Sequence, residues 1–260
     1  MKLGLIGVVM FACGCPGGGK YTPPWGAKEP TAAEEAQRVQ AKQAEITSFR
    51  AESVMDYWLG NDRIKGTVKV MGKPGAFVRL NALSPAGGDV IADLSCDGQD
   101  FVMLDKQHNC VVTGPCDEGS ISQFFHVPLA PDDLFHLATG TTPFLGTAQK
   151  LSWDANAGQE TITLEGDKGT QTIVVDARDG HTDVVSSHLQ HDKQAWTITN
   201  KDFHDVTAGD KTFRVPAKSR FEGSAEKSDL IVEWNELDLN VDLDASKFHV
   251  EVPTGIPACH

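Results

Sequence analysis

The six cysteines are the residues of this 260-residue chain whose chemistry depends most on their position. A thiol can carry a lipid, form a disulfide or bind zinc. Two of these cysteines lie near the N-terminus and four lie further along: Cys13 and Cys15, then Cys96, Cys110, Cys116 and Cys259. We expect the two groups to differ in chemistry because their sequence surroundings differ.

Cys13 and Cys15 follow a short apolar segment. Lys2 supplies a positive charge, and residues 3–12 contain no charged side chain. A basic start, an apolar run of this length and small residues after it are typical of a secretory signal. The pattern resembles the bacterial lipobox, in which a cysteine receives a diacylglyceryl group. We predict a lipoprotein signal peptide over residues 1–15 that ends in lipidation, including palmitate, of Cys15 or Cys13, with Cys15 favoured. An ordinary cleaved signal is the alternative.

Residues 16–30 are rich in glycine and proline, which predicts a flexible linker between the anchor and a folded domain. The residue after the anchor is Pro16, or Gly14 if Cys13 is used. Neither is the aspartate associated with inner-membrane retention in enteric bacteria. We therefore expect the protein on the periplasmic face of the outer membrane.

The other four cysteines predict two disulfides, because an even number in an exported protein usually pairs. Three pairings are open. Zinc binding is the competing interpretation, but the chain has no Cys-x-x-Cys pair.

The sequence contains no nucleophile elbow, phosphate loop, zinc-protease motif or dinucleotide fingerprint, so we predict no enzymatic activity and no metal or other cofactor. His181, His188 and His191 are interpreted as exposed polar residues. The formal net charge of −13 argues against nucleic-acid binding, since phosphate contacts need Lys and Arg.

The elements follow from periodicity and turn residues. Thr31-Ala-Ala-Glu34 is typical of a capping box and predicts a helix from there to about Phe49. From Arg50 onward, apolar and polar residues alternate between turn signals, which predicts antiparallel strands. Pro131, the acidic residues after it and Gly140 predict one or two short helices within residues 119–145.

Strands resume near Gln149, and the alternation over residues 237–243 predicts one of them. Phe248, Val250 and Val252 repeat the alternation and predict a closing strand. The chain is thus predicted to be α+β: a curled antiparallel sheet of about eleven strands forms an unclosed half-barrel, with the N-terminal helix and the short helical insert as a lid. One domain over residues 31–260 accounts for these elements.

The order of these stretches resembles the LolA/LolB superfamily of bacterial lipoprotein carriers and receptors, and most closely its LolB-type branch. The stretches are residues 63–70 as the opening strand, 83–88 as the turn after the second strand, 124–140 as the helical insert and 248–255 as the closing strand.

This resemblance implies a periplasmic protein that binds acyl chains or lipoproteins in an apolar groove, with a periplasmic carrier as a further partner. Simple core packing is the alternative for each candidate groove residue, and an envelope sensor or scaffold that binds a partner protein is the alternative function. The candidates are the large apolar side chains Phe77, Leu80, Phe101, Met103, Phe124, Phe135, Trp153, Trp196, Phe213 and Trp234.

Overall fold

Thirteen antiparallel strands form a single sheet in the computed structural model, which describes residues 20–59, 61–86, 88–125, 127–190, 195–224 and 228–259, without the side chains of 59 and 123–125. The strands are β1 Phe49–Leu59, β2 Asp62–Lys73, β3 Phe77–Leu83, β4 Val90–Asp97, β5 Asp100–Asp105, β6 Cys110–Pro115, β7 Thr147–Asp154, β8 Gln159–Gly166, β9 Gly169–Asp176, β10 Asp183–Gln190, β11 Ala195–Ala208, β12 Lys211–Gly223 and β13 Asp229–Leu239. The helices are α1 Ala32–Gln43, α2 Glu118–Phe125 and α3 Pro131–Thr139. The predicted fold class is confirmed, with two more strands than the eleven expected.

The two halves of the chain meet in the middle of the sheet, where β1 pairs with β13. The order is β6-β5-β4-β3-β2-β1-β13-β12-β11-β10-β9-β8-β7, so β6 and β7 are the edges and the sheet does not close. The central contact pairs Phe49 with Leu239, and a bulge at Glu52 and Ser53 shifts its register. Such bulges increase local twist, which helps a large sheet to curl.

Helix α1 begins as predicted but ends earlier. The Thr31 hydroxyl accepts a hydrogen bond from Glu34 N at 3.2 Å, and the Glu34 carboxylate accepts one from Thr31 N at 2.8 Å. The expected extension to Phe49 is wrong, because the helix stops at Gln43. Asn240 accepts a hydrogen bond from Thr47 N at 2.7 Å and holds the chain after the helix in an irregular conformation.

The predicted closing strand over residues 248–255 is also wrong. A single turn of 3₁₀ helix, Ala245–Phe248, is followed by irregular chain. Strand β13 ends at Leu239 because Asn240 has a left-handed φ of 52°, so the alternation over 237–243 continues beyond the strand.

The helical insert lies between β6 and β7 and contains α2 and α3, as predicted. Gly140 ends α3 with a φ of 67°. A Cβ atom at this residue would lie 2.6 Å from Pro216 Cδ, so glycine is needed both for the conformation and for the close approach.

Two disulfides are present, as predicted from the four cysteines. Cys96 pairs with Cys116 and ties the start of the insert to β4. Cys110 pairs with Cys259 and ties the C-terminal segment to the edge strand β6.

Signal-peptide residues 1–15, including Cys13 and Cys15, lie outside the described residues, as do residues 16–19 of the predicted linker. Tyr21 N donates a hydrogen bond to Ala155 O at 2.7 Å, and the Trp25 ring packs edge-on against Trp153 with 5.7 Å between centroids. Part of the predicted linker therefore contacts the domain. No helix of the described residues combines the length and apolar character that a bilayer crossing requires.

Candidate ligand-binding site

The inner face of the sheet, defined here as the face that the three helices cover, is mostly apolar and also carries buried polar side chains such as Gln171 and Ser187. Alternation produces it: in β8, Glu160, Ile162 and Leu164 all point inward and are buried. The buried apolar side chains form two clusters. The larger lies between the insert and strands β1–β5 and β11–β13, and the smaller lies between α1 and strands β8–β10.

Five predicted groove residues meet in the larger cluster and are buried there: Leu80, Phe101, Phe135, Phe213 and Trp234. Met103 and Trp196 are partly buried at its margin, where Trp196 stacks on Phe221 with 5.9 Å between centroids.

The structure does not bring the other predicted groove residues to this cluster. Phe77 packs against Phe248 with 5.5 Å between ring centroids. Trp153 lies on β7 and packs against Trp25, because β7 is the far edge strand of the sheet. The side chain of Phe124 is outside the described residues.

Side chains of the insert fill the space over the larger cluster. Leu134 and Leu137 of α3 are fully buried, as is Ile121 of α2. Phe49 lies at the centre, with its ring centroid 6.0 Å from that of Phe135 and 6.1 Å from that of Trp234. The described side chains of the insert thus occupy the space over the larger cluster, and a ligand that bound there would have to displace them.

A buried hydrogen-bond chain connects α3 to the sheet. Ser219 Oγ donates to the carbonyl of Leu137 at 2.7 Å and accepts from Trp234 Nε1 at 3.2 Å. Because all three groups are buried, each bond satisfies an atom that would otherwise lose its hydration without replacement.

A second polar network holds the chain after α3. Gln171 on β9 donates to the carbonyl of Pro143 at 2.7 Å and accepts from Leu145 N at 2.9 Å. Its amide also donates to Ser187 Oγ at 3.0 Å, and Thr142 Oγ1 bonds the same hydroxyl at 2.8 Å. The insert is therefore attached at its end by this network and at its start by the Cys96–Cys116 disulfide.

A cleft of about 290 Å³ separates the insert from the ends of β8–β11. Trp196, Leu189 and Leu145 form its apolar walls, and Asp133 and Lys168 are among its polar residues. Trp196, which lines this cleft, also stacks on Phe221 at the margin of the larger cluster.

Two ionisable groups of α3 have pKa values shifted by burial. Burial raises the pKa of Asp133 to about 7, although the hydrogen bond from Ala130 N acts in the opposite direction. Burial lowers the pKa of His136 to about 4, so its ring is neutral, and its Nδ1 lies 2.7 Å from Thr141 Oγ1.

Under α1, Glu35 and Glu160 are buried and share the guanidinium of Arg38. Sequence reasoning missed this group. The alternation along β8 could have indicated it, since Glu160 lies on the same face of the strand as the apolar residues Ile162 and Leu164.

The histidines in the described part of the chain do not gather into a metal site. His181 and His188 are partly buried rather than exposed, and His188 Nδ1 lies 2.9 Å from Thr197 Oγ1. His191 lies outside the described residues. Across the described ranges, no group of three or more His, Cys, Asp or Glu side chains could hold a metal ion.

Comparison with known proteins shows the fold. No protein-family model matches the chain, and no curated protein matches it in sequence. Among solved structures, a LolA superfamily protein from Nitrosomonas europaea superposes with a TM-score of 0.56 at 14% identity, covering 85% of this chain and 99% of the other.

Two further structures give the same TM-score of 0.56. A proposed outer membrane lipoprotein-sorting domain from Vibrio parahaemolyticus is 12% identical, and its superposition covers 83% of this chain and 95% of that domain. A DUF1329 family protein from Desulfovibrio piger is 13% identical, with 85% and 98% coverage. At these identities the likeness establishes a LolA/LolB-like fold, in agreement with the superfamily resemblance found in the sequence, and it does not test the LolB-type branch.

Proposed function

We propose that this protein is a lipid-anchored envelope lipoprotein that binds acyl chains, free or as part of other lipoproteins, between the sheet and the helical insert. The observation that carries the proposal is the large apolar cluster of the inner face, covered by a separate, two-helix segment. An acyl chain gains roughly 0.8 kcal/mol for each CH₂ that it buries. A ligand of this kind needs few polar contacts, which matches the apolar side chains of the larger cluster.

The anchor in this proposal is the lipidated Cys15, or Cys13, on the periplasmic side of the outer membrane. Its direct test is incorporation of labelled palmitate in a bacterial host. We expect Cys15→Ser to abolish the label and Cys13→Ser to retain it. Loss of the label only in the Cys13→Ser variant would move the anchor to Cys13, and label in neither the native chain nor the variants would reject lipidation.

Ligand binding is tested on the full chain with both Cys13 and Cys15 replaced by serine, released from the periplasm without detergent. Native mass spectrometry should show one or more acyl-containing molecules bound to the folded protein. A fluorescent fatty acid should then exchange with them. A protein that carries no acyl ligand and binds no fatty acid would contradict the proposal.

The alternative, a sensor or scaffold that binds a partner protein, has one observation in its favour. Leu134, Leu137 and Phe135 of the insert already fill the space over the inner face. If the mass spectra show the protein alone and in-cell crosslinking shows a stable protein partner, the scaffold function would replace acyl binding.

A further inference from the structure

Helix α1 is held on the sheet by few apolar contacts. Only Ala36 and Val39 of the helix belong to the smaller cluster, whereas the sheet contributes larger side chains such as Ile162, Leu164 and Ile173. Because apolar stabilisation grows with the buried area, two small side chains hold α1 weakly. Its polar contacts therefore have a large share in its docking.

Those contacts centre on three charged groups. Arg38 Nε donates to Glu35 Oε1 at 2.7 Å within the helix, and Arg38 Nη2 lies 3.4 Å from Glu160 Oε2 on β8. The Glu35 and Glu160 side chains are 4% and 0% exposed, and that of Arg38 is 38% exposed. Two buried carboxyl groups therefore share one guanidinium at the boundary between helix and sheet.

Glu160 is incompletely paired. Its Oε1 is buried and has no hydrogen-bond partner. On the neighbouring strand, the register partner of Glu160 is Trp153, whose Nε1 is also buried without a partner. If Glu160 were ionised, its Oε1 would carry negative charge without a hydrogen-bond donor, and burying such a charge is costly.

Among the described residues, the charged groups that act on Glu160 are Glu35 and Arg38. Its register partners are Trp153 on β7 and Val175 on β9, which are uncharged, and Trp25 packs on Trp153. Next along β9, Asp176 is paired with Arg178. The charge state at this point is thus set by the two glutamates and Arg38 of the cluster.

We propose that Glu35, Arg38 and Glu160 form a proton-controlled latch that holds α1 on the sheet. With one proton on the carboxyl pair, the cluster is electrically balanced and α1 stays docked. When that proton leaves, two buried carboxylates face one guanidinium, and α1 lifts so that Glu160 can be hydrated. The latch acts on α1 and does not depend on acyl binding by the inner face.

The direction of the pH effect follows from Glu160. Burial, followed by the hydrogen bond and charge of Glu35, raises the pKa of Glu160 from 4.5 to about 8, against the opposing effect of Arg38. Between pH 4.5 and about pH 8, the state with α1 docked therefore binds more protons than the state with α1 open. Docking is strongest below pH 4.5, weakens as the pH rises toward 8, and changes little above it.

Hydrogen exchange of the α1 amides in the full chain, purified in mild detergent without added ligand, measures this opening. After correction for intrinsic exchange rates, the opening constant should rise with pH by up to about tenfold per unit between pH 5 and 8. Amides of β11 and β12 should show no such rise, which separates local opening from global unfolding.

Three variants identify the group responsible. Glu160→Gln keeps the size of the side chain but cannot ionise, so α1 opening should become independent of pH. Arg38→Gln should increase opening across the range, since the carboxyl pair loses its cation. Glu165→Gln removes an exposed carboxylate from the same strand and should keep the native profile. A flat profile in the native chain, or the native slope in Glu160→Gln, would overturn the latch.

Discussion

Asp132 and Asp133 are neighbours in the first turn of α3 but contribute to stability in opposite ways. Asp132 Oδ1 accepts hydrogen bonds from Gly75 N at 3.1 Å and Ala76 N at 2.8 Å, and so ties the helix to the turn between β2 and β3. Asp133 faces the cleft beside the insert, where burial raises its pKa. The negative charge of Asp132 therefore stabilises the fold, whereas that of Asp133 destabilises it.

Replacement of each aspartate by asparagine should separate these effects. Because the pKa of Asp133 is about 7 instead of 3.8, its contribution to stability is complete below pH 3.8 and is lost as the pH rises to 7. Asp133→Asn should therefore be more stable than the native chain at pH 8, by about 1–2 kcal/mol after allowance for solvent in the cleft. Urea denaturation at pH 4 and pH 8 measures the difference.

Asp132→Asn is the matched control. Its amide oxygen can still accept both hydrogen bonds, but they lose the charge of the carboxylate, which should lower the free energy of unfolding by about 1–2 kcal/mol at pH 8. If both variants were destabilised equally at pH 8, the buried environment assigned to Asp133 would be wrong.

Individual residues of the candidate site were predictable only as a class. Leu80 and Phe101 are large apolar residues on strands in which apolar and polar residues alternate, and such residues are usually buried. Trp153 has the same local pattern but packs against Trp25 at the edge strand β7 rather than in the larger cluster. Its location depends on the order of strands across the sheet, which alternation within one strand does not encode.

At the level of elements, the docking of α3 depends on the close approach of its C-terminal end to β12. Gly140 and Gly209 have similar φ values, 67° and 64°. A Cβ at Gly140 would meet Pro216 Cδ at 2.6 Å, whereas a Cβ at Gly209 would meet no atom within 4 Å. The two residues thus share the backbone strain of a substitution but not the steric clash.

Gly140→Ala should therefore lower stability by about 1–3 kcal/mol more than Gly209→Ala, since the rigid proline ring cannot yield easily. It should also increase hydrogen exchange in α3 and speed the exchange of a bound fatty acid. Denaturation and exchange mass spectrometry provide the two readouts. Equal behaviour of the variants would show that the insert does not rely on this contact.

Local sequence signals predicted the start of α1 better than its end. The capping box at Thr31 and Glu34 marks the start of α1 because both partners lie within one turn. The chain just after α1 is held by Asn240, which is almost 200 residues away and bonds Thr47 N and Glu45 O. Contacts between residues so far apart in the sequence form only in the folded chain, so local patterns cannot predict them.

For the whole molecule, the open sheet presents two edges that must be protected from pairing with other chains. At β6, the C-terminal segment covers the edge: Val111 N donates to Pro257 O at 2.9 Å, and Cys259 N donates to Val111 O at 3.0 Å. The Cys110–Cys259 disulfide fixes this segment. At β7, a bulge between Ala148 and Lys150 interrupts the ladder.

This coverage explains why residues 248–255 do not form the predicted closing strand. Val250 is buried, as alternation suggested, but the disulfide at Cys259 and the two backbone hydrogen bonds place the end of the chain along β6. The pattern indicated burial correctly and strand geometry incorrectly.

The two disulfides should consequently have different effects when removed. The double variant Cys110→Ser, Cys259→Ser should release the C-terminal segment and expose β6, which would then pair with other molecules. We expect concentration-dependent association by analytical ultracentrifugation, together with faster hydrogen exchange in β6. Stability should fall by about 2–4 kcal/mol.

Removal of the other disulfide, by Cys96→Ser and Cys116→Ser, should give a comparable loss of stability without association, because it frees the start of the insert and leaves the edge covered. Hydrogen exchange should then increase in α2 rather than in β6. If both double variants associate equally, exposed insert surface rather than the β6 edge causes the association. If neither does, the backbone hydrogen bonds at Val111 protect the edge without the disulfide.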